Sequence, residues 1–129
     1  MSLSDEQVRT AGQMLFEAES RRVQCGLISR VHPDMTLEDA YRVQAHFCAL
    51  KEAAGAKRIG WKIGLTSRAM QDALKITTPD SGVLYEDMMF ESGATVAPGH
   101  FIQPRIEAEI AFGMKAPLIG HQVTRADVV

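Results

Sequence analysis

The sequence predicts an α+β fold in which two N-terminal helices precede short, mixed strands. Two patterns support this: apolar residues recur at helical spacing up to about residue 55, and apolar–polar alternation begins a few residues later. Over 129 residues the chain is 46% hydrophobic and 23% charged, which is typical of a globular domain. We therefore expect a helical region at residues 1–56 and the first part of a β-rich domain at residues 57–129.

The first predicted helix covers about residues 5–24. Ser4 and Gln7 have the spacing of a capping box, in which each side chain accepts a hydrogen bond from the other residue's backbone N–H. The acidic residues of its first turn suit the positive end of the helix dipole. The residues expected to point inward recur at helical spacing, and they are Val8, Ala11, Leu15 and Ala18.

A second helix is predicted after a connection at residues 26–33. Thr36 and Asp39 have the pattern of a helix N-terminus, and Gly55 is expected to close the helix. Its inward residues should be Leu37, Ala40, Val43, Phe47 and Leu50.

The third predicted element is a strand that begins near Arg58. Its apolar face is expected to carry Ile59, Trp61, Ile63 and Leu65, and its other face Arg58, Gly60, Lys62 and Gly64. Lys62 thus stands between two positions without side chains. Glycines inside a strand occur where a ligand approaches closely, and they also mark bulges on edge strands. The sequence leaves both interpretations open.

Shorter elements are predicted further along the chain. Thr66 or Ser67 should cap a short helix, Arg68–Leu74, and a loop containing Asp80 should lead into a strand at residues 83–85. Further strands are expected near residues 95–96 and at residues 104–113. Three residues are expected to fill the core, namely Met88, Met89 and Phe90.

The last feature is an N-cap pattern at Thr124 and Asp127, close to the final residue, Val129. A cap with no helix after it suggests that the chain is cut short.

Two glutamates alternate with apolar residues in the run RIEAEIAF, residues 105–112. In a strand, Glu107 and Glu109 would point to the same side. Their mutual repulsion is tolerable on a solvated face, where water and salt screen the charges. It is also tolerable if a hard cation such as Mg²⁺, Mn²⁺ or Ca²⁺ lies between the carboxylates.

Charge and composition exclude several classes of partner. The formal net charge is −2 and no basic cluster is present, which argues against nucleic acid or an anionic membrane. The acidic N-terminus does not resemble a signal peptide and no run is long enough to span a bilayer, so we expect a cytoplasmic protein. Two cysteines and four histidines lack ligand-like spacing and receive no role, namely Cys25, Cys48, His32, His46, His100 and His121.

Three ordered motifs, GWKIGLTSRAMQ, PDSGVLYEDMMF and FIQPRIEAEIAF, resemble the 2-keto-4-pentenoate hydratase group of the fumarylacetoacetate hydrolase superfamily. More narrowly, they are similar to the 2-oxo-hept-4-ene-1,7-dioate hydratases. The resemblance covers essentially the whole chain and implies that it is the N-terminal half of such an enzyme. The fold would then be an incomplete portion of the family's rolled β-sheet.

The resemblance also implies a set of site residues. Glu107 and Glu109 would bind Mg²⁺ or Mn²⁺, with a third glutamate supplied by a segment after residue 129, and Lys62 and Asp80 would be catalytic. Asp80 favours a hydratase over the related 4-oxalocrotonate decarboxylases. Substrate binding is assigned to Arg105 and Leu84, and the candidates for holding a distal carboxylate are Arg58, Arg68 and Arg105, although a surface ion pair is an alternative for each.

The implied activity is the addition of water to a 2-hydroxy-2,4-dienoate, giving a 4-hydroxy-2-oxo acid in the meta-cleavage catabolism of aromatic compounds. A 4-oxalocrotonate-type decarboxylase and a non-catalytic fragment remain as alternatives. The resemblance further implies a small-molecule substrate and a homo-oligomer. The 129 residues alone are expected to be inactive.

Overall fold

The α+β class is confirmed by a computed structural model, which describes residues 2–128. Its elements, in chain order, are α1 (Asp5–Ser20), α2 (Ile28–Val31), α3 (Leu37–Ala53), β1 (Arg58–Gly64), α4 (Arg68–Leu74) and β2 (Asp80–Tyr85). Single 3₁₀ turns follow at Glu86–Met88 and Arg125–Asp127. Within the described residues, no helix is both long enough and apolar enough to cross a membrane.

Both long helices begin where predicted, and both begin with a capping box, which the sequence analysis predicted for α1 alone. In α1 the Ser4 hydroxyl accepts from the Gln7 backbone N–H, and the Gln7 side chain accepts from the Ser4 N–H. Helix α1 ends at Ser20, four residues before the predicted end, because Arg22 adopts a left-handed conformation with φ of 53°. Glycine is the usual residue at such a position, so the sequence carries no signal for this stop.

Helices α1 and α3 pack on each other and enclose the core. The buried cluster consists of Leu3, Val8, Ala11 and Val43, with Leu15, Ile28 and Met35 partly buried around it. The prediction that Leu37 points inward is wrong: it is exposed, since the contact with α1 is made further along α3 at Val43. One turn of helix, α2, also lies within the connection that the sequence analysis left without structure.

The hairpin of β1 and β2 is antiparallel and packs on α3 through one face. Tyr85 is only 1% exposed, and its hydroxyl donates to the Cys48 carbonyl at 3.4 Å. Nearer the start of β2, the Tyr41 hydroxyl accepts from the Ser81 N–H at 3.1 Å, and the Gln44 amide donates to the Ser81 carbonyl at 3.0 Å. These contacts anchor β2 to α3 and leave the other face of the hairpin free of that helix.

The segment after β2 departs most from the sequence prediction. Residues 95–96 and 104–113 form no strands, because no other described segment forms a hydrogen-bonded ladder with them. Met88, Met89 and Phe90 are exposed rather than buried in a core. An alternating pattern makes a strand only when a neighbouring strand accepts its backbone hydrogen bonds.

Candidate functional site

The candidate site is the face of the hairpin that points away from α3. Directly opposed residues of an antiparallel pair share a face, and the register pairs Gly60 with Leu84, Lys62 with Gly82 and Gly64 with Asp80. The structure therefore brings Lys62, Asp80 and Leu84 to one surface. We refer to these six residues as the glycine face, because three of them lack side chains.

Lys62 rises from the glycine face and contacts both glutamates of the segment at residues 104–113. Its Nζ lies 2.9 Å from Glu107 Oε2 and 2.9 Å from Glu109 Oε1. The two carboxylates thus converge on one positive charge, although the segment is not the strand that the alternating spacing predicted and the contact with Lys62 was not predicted. All three side chains are exposed, with Lys62 46% accessible.

The ion pairs shift the titration of the groups that form them. Hydrogen bonds, first to Glu107 and then to Glu109, raise the pKa of Lys62 above its ordinary value. The same contact with Lys62 holds the pKa of Glu107 below its ordinary value. Lys62 is therefore protonated at neutral pH while it faces the two carboxylates.

Asp80 lies over Gly64. A Cβ atom built on Gly64 would overlap Asp80 Oδ1, and it would lie 3.4 Å from Asp80 Cγ and 3.8 Å from Oδ2. By contrast, a Cβ on Gly60 or Gly82 would meet nothing within 4 Å. The space beside Lys62 at Gly64 is thus filled by the Asp80 carboxylate, and the spaces at Gly60 and Gly82 are open.

Arg58 is on the opposite face from the one predicted. The register shifts between Arg58 and Gly60, so Arg58 pairs with Tyr85 and points toward α3. There its guanidinium binds Glu52 and stacks 5.3 Å from the Trp61 ring centroid. This bulge was one of the two interpretations that the strand glycines allowed, and it removes Arg58 from the glycine face.

Arg105 is not on the glycine face, although its charge, after that of Lys62, helps to hold the pKa of Glu107 below its ordinary value. It lines a cavity of about 870 Å³ between the C-terminal ends of α1 and α3 and the segments around Lys57, Met88 and Phe101. Among the described residues that line this cavity, none belongs to the glycine face. Arg68 lies at the start of α4, which the Ser67 side chain caps as predicted.

Sequence reasoning did not select Gly82 or the contact between Gly64 and Asp80. Gly82 carried a usable signal, since it directly precedes the apolar run of the predicted strand at residues 83–85. The position of Asp80 over Gly64 carried none, because it depends on how two separate strands are aligned. The cysteines remain unpaired within residues 2–128, with Cys25 exposed and Cys48 buried.

The donor set at Lys62 fits a divalent cation. Two carboxylate oxygens aimed at one ammonium nitrogen would present the hard, anionic ligands that Mg²⁺ and Ca²⁺ prefer. Both side chains are exposed, so further coordination positions would be accessible to substrate. Within residues 2–128, however, no group of three or more His, Cys, Asp or Glu residues could hold a metal ion.

Curated relatives match nearly the whole chain. The chain is 45% identical to 2-hydroxyhexa-2,4-dienoate hydratase from Comamonas testosteroni, over 98% of this chain and 49% of the relative. It is 47% identical to 2-oxo-hept-4-ene-1,7-dioate hydratase from Escherichia coli, over 90% of this chain and 43% of the relative. The chain spans about half the length of the curated relatives it matches. No protein-family model matches it.

A solved structure, 4-oxalocrotonate decarboxylase from Pseudomonas putida G7 complexed with calcium and acetate, has the same local fold. The match has a TM-score of 0.63 and 36% identity, and it covers 66% of this chain and 33% of that one. A second structure of that enzyme, complexed with magnesium and adipate, matches with a TM-score of 0.62.

The fold and these relatives define the class as that of the dienoate hydratases and their decarboxylase relatives. Within that class, the chain is similar to part of the 2-keto-4-pentenoate and 2-oxo-hept-4-ene-1,7-dioate hydratases, which it matches over at least 90% of its own length at 32% and 47% identity, and this resemblance is the one that its three motifs predicted.

Proposed function

We propose that the protein carrying this chain is a divalent-metal-dependent hydratase that adds water to a 2-hydroxy-2,4-dienoate. The observation that carries the proposal is the glycine face, on which Lys62 and Asp80 share one surface and Lys62 reaches Glu107 and Glu109. The names of the relatives support the reaction class, with 2-oxo-hept-4-ene-1,7-dioate as the substrate type.

In this proposal Glu107 and Glu109 hold Mg²⁺ or Mn²⁺. The ion, when bound, supplies Lewis-acid stabilisation of negative charge on the substrate's C2 oxygen, worth several kcal/mol in general. The convergence of both carboxylates on one cation supports this role. The magnesium and calcium complexes of the solved relative support the choice of a divalent ion.

Lys62 and Asp80 take part in the proton transfers of the reaction. The reaction moves a proton from the C2 hydroxyl to carbon, and it then adds a hydroxyl group at C4 and a proton at C3. Lys62 Nζ, released from the two carboxylates when they bind the ion, donates a hydrogen bond to the developing enolate oxygen. The Asp80 carboxylate accepts a proton from the water that adds. Leu84 contacts the apolar part of the substrate chain. Arg105, which lies two residues before Glu107, binds a distal carboxylate.

Decarboxylation of a 4-oxalocrotonate-type substrate is the second candidate function. The chain is 38% identical to 4-oxalocrotonate decarboxylase from Pseudomonas sp. strain CF600, and the solved structures it matches are also decarboxylases. The same ion and lysine would then stabilise the enolate that remains after CO₂ leaves. Asp80 supports the hydratase, since a decarboxylase has no water to activate.

The first experiment uses the natural gene product that contains these 129 residues. It receives 2-hydroxyhepta-2,4-diene-1,7-dioate, and the assay follows both the dienol absorbance and CO₂ release with and without Mg²⁺. We expect loss of dienol that requires the metal and releases no CO₂. Release of CO₂ would establish the decarboxylase, and absence of any turnover would favour a non-catalytic role.

Variants of the same gene product test the metal ligands. We expect Glu107→Ala and Glu109→Ala each to reduce turnover by more than about a hundredfold, because each removes a ligand of the ion. Glu91→Ala, which changes another exposed glutamate, is the matched control and should retain activity. Full activity of the ligand variants at the same Mg²⁺ concentration would exclude the proposed site.

We further propose that residues 1–56 form a helical region and residues 57–129 the first part of the catalytic domain. The protein would act in the cytoplasm as a homo-oligomer, without nucleic acid or membrane partners. These 129 residues alone should be inactive, because two carboxylates bind a divalent ion weakly.

A further inference from the structure

Gly64 is a glycine whose backbone does not require glycine. Its φ is outside the left-handed region, which among the described glycines is occupied by Gly55, Gly93, Gly99 and Gly120. A glycine in the middle of a strand is unfavourable by roughly 0.5 to 1 kcal/mol relative to alanine. What the glycine provides at this position is therefore space rather than conformational freedom.

That space is occupied by one group, the Asp80 carboxylate. Asp80 Oδ1 lies so close to the position that a Cβ would take at residue 64 that the two atoms would overlap, and the nearest atoms to that position all belong to Asp80. Among the hydrogen bonds of the described residues, none is made by the Asp80 side chain. The position of the carboxylate thus follows from the pairing of Gly64 with Asp80 and from the missing side chain.

We propose that Gly64 is a positioning residue that sets the location of the Asp80 carboxylate on the glycine face, beside Lys62. This inference rests on the proposed function, which gives Asp80 its role in proton transfer. A methyl group at position 64 would push the carboxylate away from the strand. A displacement of about 1 Å in a catalytic group can reduce turnover by as much as about a hundredfold.

The neighbouring glycines provide a matched control. Gly60 lies on the same strand and the same face, four residues before Gly64, yet a Cβ at Gly60 would meet no atom within 4 Å. An alanine at position 60 adds the same methyl group to the same surface without touching Asp80. If the effect of the alanine on kcat depends on the presence of the Asp80 side chain at position 64 but not at position 60, the contact between position 64 and Asp80 is the cause.

The kinetic test is a pair of double-mutant cycles in the natural gene product. One cycle combines Gly64→Ala with Asp80→Ala, and the other combines Gly60→Ala with Asp80→Ala. We expect Gly64→Ala alone to lower kcat by roughly tenfold to a hundredfold with a smaller change in KM, and to have no further effect once Asp80 is alanine. Gly60→Ala should change kcat by the same factor in the presence and in the absence of the Asp80 side chain, whatever the size of that factor.

The spectroscopic test needs no substrate. In the natural gene product labelled with ¹³C at aspartate carboxyl carbons, the Asp80 resonance is assigned by its loss in Asp80→Asn. We expect Gly64→Ala to move this resonance and Gly60→Ala to leave it unchanged. An unmoved Asp80 resonance, or a loss of kcat in Gly64→Ala that multiplies with that of Asp80→Ala, would overturn the proposal.

The same variants also distinguish a folding defect of Gly64→Ala, and a failure of the proposed function, from a failure of this proposal. If Gly64→Ala alone does not fold, the proposal predicts that adding Asp80→Ala restores folded protein, because the overlapping carboxylate is gone; failure of that rescue would count against it. Failure of the proposed function has a different signature. The unmodified gene product would lack hydratase turnover while the Asp80 resonance still moved in Gly64→Ala.

Discussion

Lys62 is the residue on which the candidate site is centred. The two glutamates of residues 104–113 repel each other, and the ammonium group at 2.9 Å from each of them compensates that repulsion. The contacts are exposed, and exposed ion pairs are typically worth about 0.2 to 1 kcal/mol each. Lys62 is thus a weak competitor for the position that the sequence analysis assigned to a metal ion.

Removing that competitor should strengthen metal binding. We expect Lys62→Met to tighten the binding of Mg²⁺ by the gene product about fivefold, which corresponds to about 1 kcal/mol of lost ion pairing. Isothermal titration calorimetry measures the affinity directly, without any assay of activity. Lys115→Met, a change at another exposed lysine, should leave the affinity unchanged. Equal or weaker binding in Lys62→Met would show that the ammonium does not compete for this position.

At the scale of elements, one carboxylate joins the start of the chain to α3. Asp39 is fully buried, and its Oδ2 accepts from the Thr36 backbone N–H at 3.0 Å as part of the capping box. Its Oδ1 accepts from the Ser2 hydroxyl, from the Leu3 N–H and from Arg42. The Asp39 side chain thus both caps α3 and binds the start of the chain to this helix. The sequence predicted only the first of these roles.

The Asp39 contacts make stability depend on pH in the acid range. The hydrogen bond from Ser2, and then that from the Thr36 backbone, hold the pKa of Asp39 below its ordinary value of 3.8. A depressed pKa in the folded state means that the stabilisation is present above pH 3.8 and is lost as the pH falls below it. We therefore expect Asp39→Asn to lower the urea midpoint at pH 7, with a difference from the unmodified chain that shrinks below pH 3.8.

Circular dichroism of the helices during urea titration at several pH values provides this measurement. Asp34→Asn, in the exposed connection before α3, is the control and should not change the midpoint at any pH. A midpoint difference for Asp39→Asn that stays constant from pH 7 to below pH 3.8 would contradict the assigned role of the carboxylate.

At the scale of the whole molecule, the described chain buries little and exposes much apolar surface. Its core is small, while Ile106 is fully exposed and Ile110 is 84% exposed. These two isoleucines, which alternate with Glu107 and Glu109, thus face solvent. Monomeric proteins rarely expose extended apolar patches of this kind, and such patches promote association.

We expect the 129-residue chain to self-associate in a concentration-dependent manner. Sedimentation velocity should show a mass above 14.2 kDa that rises with concentration, and the double variant Ile106→Ser with Ile110→Ser should shift the distribution toward the monomer. Gln122→Ser, a polar substitution at an exposed site, is the control. A single monomeric species at all concentrations would contradict the expectation.

Local signals made much of the fold predictable. The capping boxes of α1 and α3, the end of α3 at Gly55 and the bounds of α4 follow from side chains close in sequence to the elements they define. Strands at residues 95–96 and 104–113 were predicted from alternation and are not present, because a strand also needs a partner that local patterns do not specify.

By itself the sequence determined the resemblance to the dienoate hydratases and the proposed site residues, since the motifs around Lys62, Asp80 and Glu107 can be read without a fold. Only the tertiary structure decided that a bulge turns Arg58 toward α3, that Arg105 lines a separate cavity, and that Asp80 lies over Gly64. The physical reason is register. A shift of one residue in strand pairing moves a side chain to the opposite face, and that shift is set by contacts between residues far apart in the chain.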